Sequence, residues 1–479
     1  MIEFKVGYSY VNVIADEDET AHIYHVLNYR EPGFAAIRDR MLRLNPRNPY
    51  WRTYDGIKSL YDNHNKRFLS GLLPKVGAYL TERHIDYVIT YTQSPIEKTI
   101  AHEENFELDK ISLWDYQREA LIQALSKGRG VIQIGTGGGK TEVAIALVKA
   151  LGKRTLFLTH RIQLLNQTAN RFVDSVAAFK GRVGIIGDGQ YDPNFITIAM
   201  VQTLASLAKH KDKCSILQED LAEYEVLIID EAHRMGADQF HEVAGLVTNA
   251  GIRIGLTATP FMSGNPHDDM CLRGVTGDVI CRVSASELIE RGVLAQPLFK
   301  FIEINSPPIK AGRDEWRKTY EEGIVFNKER NQIIITAALQ LNKMGKKTLI
   351  ITQETTHADI LQGLAGAQGL RTITVSGKDD HFKRQAALKD LSAKKIDAII
   401  ATNIFDEGID VQDISGVIMA SGQKSAPAFF QRTGRAIRRK EEDNYAVIID
   451  FIDNQHPLLL HHSEHRMSLI KQEPLFRII

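Results

Sequence analysis

Short apolar runs rich in Val, Ile and Leu recur along most of the chain, separated by longer stretches with helical periodicity. A first series covers residues 131–134, 155–158, 196–200, 226–229 and 252–256, and a second covers 348–351, 372–375, 398–401, 417–420 and 445–449. An apolar run without polar alternation reads as a strand buried on both faces, and a helix after each run returns the chain for a parallel partner. The pattern therefore predicts two consecutive parallel-sheet α/β units. Residues 1–105 read differently, as a small α+β domain. Within it, residues 49–61 and 67–70 predict a β-hairpin around a polar turn at 62–65, leading into a helix that runs to about Arg83. The expected domains are thus 1–105, 106–297 and 298–479, with a loop around Pro297 between the last two.

Composition narrows this picture only a little. The 479 residues are 43% hydrophobic and 25% charged, which is ordinary for globular protein and enough for two to four domains. No run approaches the ~18 apolar residues of a membrane span. The start of the chain lacks the layout of a signal peptide. Cys214, Cys271 and Cys281 form neither a disulfide framework nor a metal-binding pattern, so a reducing, cytoplasmic setting is expected. The 59 basic and 59 acidic side chains cancel, and alone that balance counts weakly against a nucleic-acid partner.

Chemistry enters after the first strand of the first series. Gly135, Thr136, Gly137, Gly138, Gly139, Lys140 and Thr141 follow it directly, and a helical stretch follows them. A strand, a glycine-rich turn and a helix N-terminus gather backbone N–H groups and the helix dipole on phosphate oxygens. Lys140 is placed to reach the β- and γ-phosphates of ATP, and the Thr141 hydroxyl to ligate Mg²⁺. The strict pattern wants glycine where Ile134 stands, so the match is a variant. About 90 residues further on, the run 226–229 ends in Asp230 and Glu231. Asp230 is expected to hold the metal, through water, and Glu231 to orient and deprotonate the attacking water.

These residues, with Leu256-Thr-Ala-Thr-Pro260 and Gln431-Arg-Thr-Gly-Arg-Ala-Ile-Arg438, resemble superfamily 2 helicases of the DEAH-box type in order and spacing across 110–455. The resemblance implies two tandem RecA-like lobes, ATP-dependent movement on nucleic acid, and roles at matching positions. Gln117 would read adenine. Trp114 stands where many relatives carry arginine, and a stacking role there is one option. Thr159, His160 and Arg161, and then Gln202 and Thr203, would touch the backbone of the tracked strand. Thr257 and Thr259 would couple hydrolysis to motion. In the second lobe Thr352, Gly377, Lys378 and Thr402 would touch the strand, and Gly408 and Asp410 would lie near the nucleotide. Gln431 would sense phosphates, while Arg435 and Arg438 would act as arginine fingers.

The N-terminal residues resemble the corresponding domain of phage branch-migration helicases, over about forty residues around 49–74. Arg30, Arg38, Arg40, Arg43, Arg47, Arg52, Lys58, Lys66, Arg67 and Lys75 stand there against only Glu31, Asp39, Asp55 and Asp62. Such a surplus beside Tyr50 and Trp51 suits a grip on duplex phosphates, and it also suits a solvated basic face over a buried Trp51. The expectation is an ATP- and Mg²⁺-dependent DNA helicase or translocase that works on branched DNA in recombination, repair or replication restart. It is expected to be phage-encoded and to act in the host cytoplasm with no membrane partner. An RNA helicase and the motor subunit of a restriction nuclease are the rival readings. His461, His462 and His465 lack further ligands and read as surface or packing residues.

Overall fold

All five runs of the first series lie in one eight-stranded sheet. Its order is Gln190–Tyr191, Val183–Gly187, Ile196–Met200, Thr155–Thr159, Val226–Asp230, Ile252–Thr257, Arg129–Ile134 and Val279–Val283. The six strands from Val183–Gly187 to Arg129–Ile134 pair in parallel, so the carboxyl ends of the strands share one edge. The computed structural model describes residues 1–94, 106–234, 238–261, 265–312, 315–377, 379, 381–402, 414–423 and 444–479, without the side chains of 163, 211, 238 and 381. The chain divides into two compact units. One comprises residues 1–134 and 139–282, the other 135–138 and 283–479. The Gly135 N–H donates to the Val283 carbonyl at 3.1 Å.

The N-terminal residues build a four-stranded sheet in the order Arg67–Leu69, Tyr10–Ile14, Ile2–Val6 and Tyr87–Tyr91, backed by the helices Glu17–Val26 and Leu73–Glu82. The expected hairpin is not what forms. Ile57–Ser59 pairs with Asn28–Arg30, while Arg67–Leu69 pairs with Tyr10–Ile14, and only the Asp62–Arg67 bridge joins the two stretches. The turn brings its ends together, but each strand finds a longer-range partner. The helix expected up to about Arg83 is present as Leu73–Glu82.

This N-terminal sheet and the eight-stranded sheet share one hydrophobic core, in which Phe4, Phe68, Leu72 and Val76 belong with Leu227, Ile229, Val243 and Met270. The junction is close. A methyl group on Gly71 would lie 2.1 Å from the Arg273 carbonyl oxygen, and one on Gly245 the same distance from the Tyr10 hydroxyl. Two arginines complete it. Arg129 donates to the Tyr8 carbonyl, and the fully buried Arg253 donates to the Ser9 hydroxyl and to the Ala244, Val247 and Ala250 carbonyls.

The second unit holds a seven-stranded sheet, again parallel. Its order is Thr372–Val375, Ala398–Ala401, Thr348–Ile351, Gly416–Ile418, Tyr445–Asp453, Gln296–Ile304 and Arg477–Ile478. The stretch expected as a loop around Pro297 is the start of a nine-residue strand. Pro297 sits second in that strand, near the one end where a missing N–H disturbs little.

Candidate nucleotide site and strand-contact residues

The Arg129–Ile134 strand delivers its buried end to the glycine turn, in which Gly137 and Gly139 adopt left-handed φ values of 88° and 79°. Glycine is needed at 139 on two counts, since a methyl group there would also sit 2.1 Å from Gln117 Nε2. The helix Lys140–Leu151 starts at Gly139 with no side-chain cap, which leaves its first N–H groups to an anion. Lys140 Nζ donates to the Ile134 carbonyl at 3.3 Å, so the ammonium lies over the turn. Gln117 is buried. Its Oε1 accepts from the Trp114 N–H at 2.9 Å and its Nε2 donates to the Gly139 carbonyl at 3.3 Å. The amide thus ties the helix Asp115–Lys127 to the glycine turn, and the Trp114 ring beside it is exposed.

Asp230 closes the Val226–Asp230 strand, with only Ile252–Thr257 between that strand and the one leading to the glycine turn. Its Oδ1 accepts from the Glu231 N–H at 3.0 Å, and Glu231 holds a left-handed φ of 49°, a conformation uncommon outside glycine. Burial, then the neighbouring Glu231 charge, pushes the Asp230 carboxyl well above the usual range, against the pull of Lys140. Burial would also raise Glu231, but the His233 hydrogen bond and the Lys140 charge outweigh it and hold that carboxyl down. Two close carboxylates under an ammonium are a donor set that a divalent cation would complete. Among the described residues no group of three His, Cys, Asp or Glu is arranged to hold a metal. Mg²⁺ takes one or two protein oxygens and leaves the rest to phosphate and water.

A line of contacts leads away from Glu231. His233 Nδ1 lies 3.3 Å from Glu231 Oε2 and 3.0 Å from Thr257 Oγ1, and Thr257 Oγ1 in turn accepts from the Thr259 N–H at 3.1 Å. Thr257 and Thr259 are both buried, so this line is shielded from solvent at their end. Glu231 and the segment 257–259 are therefore joined through one imidazole.

The strand-contact candidates of the first unit stand at neighbouring strand ends on the same edge, since Met200 pairs with Thr159. Gln202 is exposed and its Nε2 donates to the His160 carbonyl at 3.2 Å, with the half-buried Thr203 beside it. Arg161 Nε donates to His160 Nε2 at 2.7 Å, and burial, aided by Arg234 and Arg161, lowers His160 to about 3, so it is neutral. The Thr159 side chain is fully buried. In the second unit Thr352, Gly377 and Thr402 follow the adjacent strands Thr348–Ile351, Thr372–Val375 and Ala398–Ala401. Gly377 is exposed, whereas Thr352 and Thr402 are buried and Thr352 Oγ1 is engaged with the Glu354 and Ala401 carbonyls at 3.3 and 3.4 Å. Lys378, Gly408, Asp410, Gln431, Arg435 and Arg438 lie outside the described residues.

Some residues at the site escaped sequence reasoning. Glu142, buried one position after Thr141, pairs with Arg171 of the helix Ile162–Ser175, which follows the Thr159–Arg161 turn. A carboxylate in a first helical turn signals nothing by itself, and its partner 29 residues away carries no motif. Gln133 Nε2 donates to the Ala258 carbonyl at 3.4 Å, holding the middle of the segment 257–259 from the neighbouring strand.

A glycine turn and two carboxylates at the ends of parallel strands suit a phosphate-bearing nucleotide. Comparison with known proteins agrees. Residues 110–262 match the family model "Type III restriction enzyme, res subunit", and residues 329–440 match "Helicase conserved C-terminal domain". The chain is 26% identical over 398 residues to the DNA 3'-5' translocase XPB2 of Sulfurisphaera tokodaii, covering 74% of this chain and 87% of that one. It is 22% identical over 475 residues to the ATP-dependent DNA helicase uvsW of Enterobacteria phage T4, covering 93% and 89%. Saccharomyces cerevisiae Dbp5 bound to RNA and ADP BeF3 shares the fold with a TM-score of 0.53 at 15% identity, over 76% of this chain and 88% of that one. The chain is a superfamily 2 helicase with tandem RecA-like lobes, and uvsW is a homologue.

Proposed function

We propose that the protein is an ATP- and Mg²⁺-dependent DNA helicase or translocase that remodels branched DNA, such as forks and junctions. The observation that carries the reading is the line from Glu231 through His233 to Thr257 and Thr259, which joins a hydrolytic carboxylate to a buried coupling motif. In this reading Lys140 and the first N–H groups of its helix hold the phosphates, and Thr141 and Asp230 hold Mg²⁺. When bound, that ion supplies charge stabilisation at the γ-phosphate. Glu231, the acceptor kept ionised at low pKa, orients water and takes its proton. Gln431, Arg435 and Arg438 of the second lobe are assigned to the phosphates, and Gly408 and Asp410 to the nucleotide. Thr159, His160, Arg161, Gln202, Thr203, Thr352, Gly377, Lys378 and Thr402 line the strand path. With the Thr159, Thr352 and Thr402 side chains buried, the backbone at those positions makes the contact, which reads no sequence.

The N-terminal residues are assigned to a duplex arm. Arg40, Arg43, Arg47 and Arg52 are exposed around the helix Phe34–Leu44, which buries none of its residues, and the exposed Tyr50 packs against Trp51 at a ring separation of 5.0 Å. The named relatives include a DNA translocase and a DNA helicase of a phage. This supports DNA over RNA, and a place of action in the cytoplasm of a bacterial host. No described helix is long and apolar enough to cross a membrane.

The test is ATP hydrolysis with and without single-stranded DNA. Lys140→Ala and Glu231→Gln should each abolish DNA-stimulated hydrolysis while DNA binding persists. Wild-type hydrolysis in either variant would remove the site assignment. Stronger stimulation by RNA than by any DNA would favour an RNA helicase, and Mg²⁺-dependent cutting of DNA by the purified chain would favour a restriction motor.

A further inference from the structure

The strand Gly416–Ile418 leads into residues 419–423, the last described ones before the segment that carries Gln431, Arg435 and Arg438. Three buried side chains converge on the carbonyls of that short run. Arg330 Nη1, from the helix Lys328–Lys343, donates to Ala420 at 2.8 Å. The Tyr320 hydroxyl, at the end of the short helix Trp316–Tyr320, donates to Ser421 at 3.1 Å. Arg466 Nη1, from the helix Pro457–Ile470, donates to Gln423 at 3.0 Å.

Each guanidinium is itself held from behind. Arg330 Nε donates to Asp453 at 2.8 Å, and Arg466 grips Asp450 with two bonds of 2.7 and 3.0 Å. All five of these side chains are at most 2% exposed. Gly422 takes a left-handed φ of 63° inside the clamp, where a methyl group would lie 2.9 Å from Ile324. Buried ion pairs stabilise no better than apolar packing of the same volume, and fixing one arrangement is the use that remains. Here both pairs direct a guanidinium N–H to the same short run of chain.

We propose that Arg330, Tyr320 and Arg466 are positioning residues for nucleotide hydrolysis, fixing the stretch of chain from which the arginine-finger segment departs. The inference rests on the reading of Arg435 and Arg438 as fingers. Charge stabilisation of this kind acts only from a preorganised position, and a misplacement of about 1 Å can cost about 100-fold. None of the three residues is itself expected to touch the nucleotide.

The experiment measures DNA-stimulated ATP hydrolysis and nucleotide binding in the full chain. Arg466→Lys keeps a cation beside Asp450 but shortens the reach to Gln423, and Tyr320→Phe removes one hydroxyl and nothing else. Loss of about tenfold in kcat for Arg466→Lys and about threefold for Tyr320→Phe is expected, with KM for ATP moved by less than about twofold. Leu391→Ala, buried in the helix His381–Ser392 of the same unit and outside the core that holds Ile418 and Ala420, serves as a control of matched thermal stability and should keep kcat. Unchanged kcat in both clamp variants would overturn the proposal, as would an equal loss in the control. Tyr320→Phe keeps the test open should Arg466→Lys not fold. Arg435→Ala and Arg438→Ala, measured alongside, should lose nearly all hydrolysis. Retained hydrolysis there would remove the finger reading and the proposal with it, whereas intact finger dependence with an unmoved clamp removes the proposal alone.

Discussion

The two units bury arginines in different company. Arg253 of the first unit is 1% exposed and meets only neutral oxygens, from Ser9 and from the Ala244, Val247 and Ala250 carbonyls. Arg330 and Arg466 of the second are as deeply buried, but each faces an aspartate. Burial therefore lowers Arg253 well below its ordinary pKa, with the nearby Arg129 adding to the effect. In Arg466 burial is outweighed by Asp450, and the group is held above its ordinary value. The difference separates two uses of a buried cation. In the first unit it fastens one polypeptide turn, residues 7–10, to the start of the strand that ends in Thr257. In the second it orders a network of fixed charges around residues 419–423.

The contrast can be broken by removing each cation. Arg330→Met leaves Asp453 buried and bare, and a loss of about 3–5 kcal/mol in urea unfolding is expected. Adding Asp453→Leu should return most of that loss. Gly71→Ala drives a methyl group against the Arg273 carbonyl, a backbone atom that cannot swing aside. A loss of up to about 3 kcal/mol is expected there, together with weaker attachment of residues 1–94, seen as faster hydrogen exchange in the Ile2–Val6 strand. Arg253→Met leaves neutral acceptors without a donor but also removes an uncompensated buried charge, so about 2 kcal/mol is the expected cost. A loss for Arg253→Met as large as for Arg330→Met would erase the distinction.

The smallest effect is on pH dependence. His357 is fully buried in the second unit, with Nε2 2.9 Å from Asn331 Oδ1, and burial with the Arg330 charge lowers it to about 3. The unfolded chain takes up this proton near pH 6.5 and the folded chain does not. The stability tied to a neutral His357 is thus complete above pH 6.5 and lost as pH falls toward 3, at about 1.4 kcal/mol per unit. His357→Gln should flatten the acid limb of the second unit's unfolding by that slope. An unchanged limb would show that the imidazole is protonated in the folded chain.

How much of this was legible in the sequence depends on what each residue needed to be recognised. Strands buried on both faces, such as Val226–Asp230 and Ala398–Ala401, announced themselves as unbroken apolar runs. Gln296–Ile304 did not, because Lys300 and Glu303 interrupt its apolar residues and Pro297 mimics a loop. Val279–Val283 was missed for the same reason, with Arg282 inside it. The glycine turn and the carboxylate pair were legible because phosphate and metal chemistry demands particular residues at fixed spacing. Gln117, expected to read adenine, ties a helix to the glycine turn. The Glu142–Arg171 pair, the Arg253 staple and the clamp on residues 420–423 were not legible. Each joins residues far apart in sequence, and a buried arginine looks in sequence like any surface one. The balanced net charge misled in a related way, since it averages the exposed arginines of residues 40–52 with acidic residues elsewhere.

The central claim is most directly tested by strand exchange on a synthetic four-way junction with ATP and Mg²⁺, run beside a three-way fork and a linear partial duplex of equal length. The wild-type chain should convert the junction and fork faster than the linear duplex, and Lys140→Ala should convert none of them. Preference for the linear duplex, or conversion by Lys140→Ala at the wild-type rate, would contradict the account.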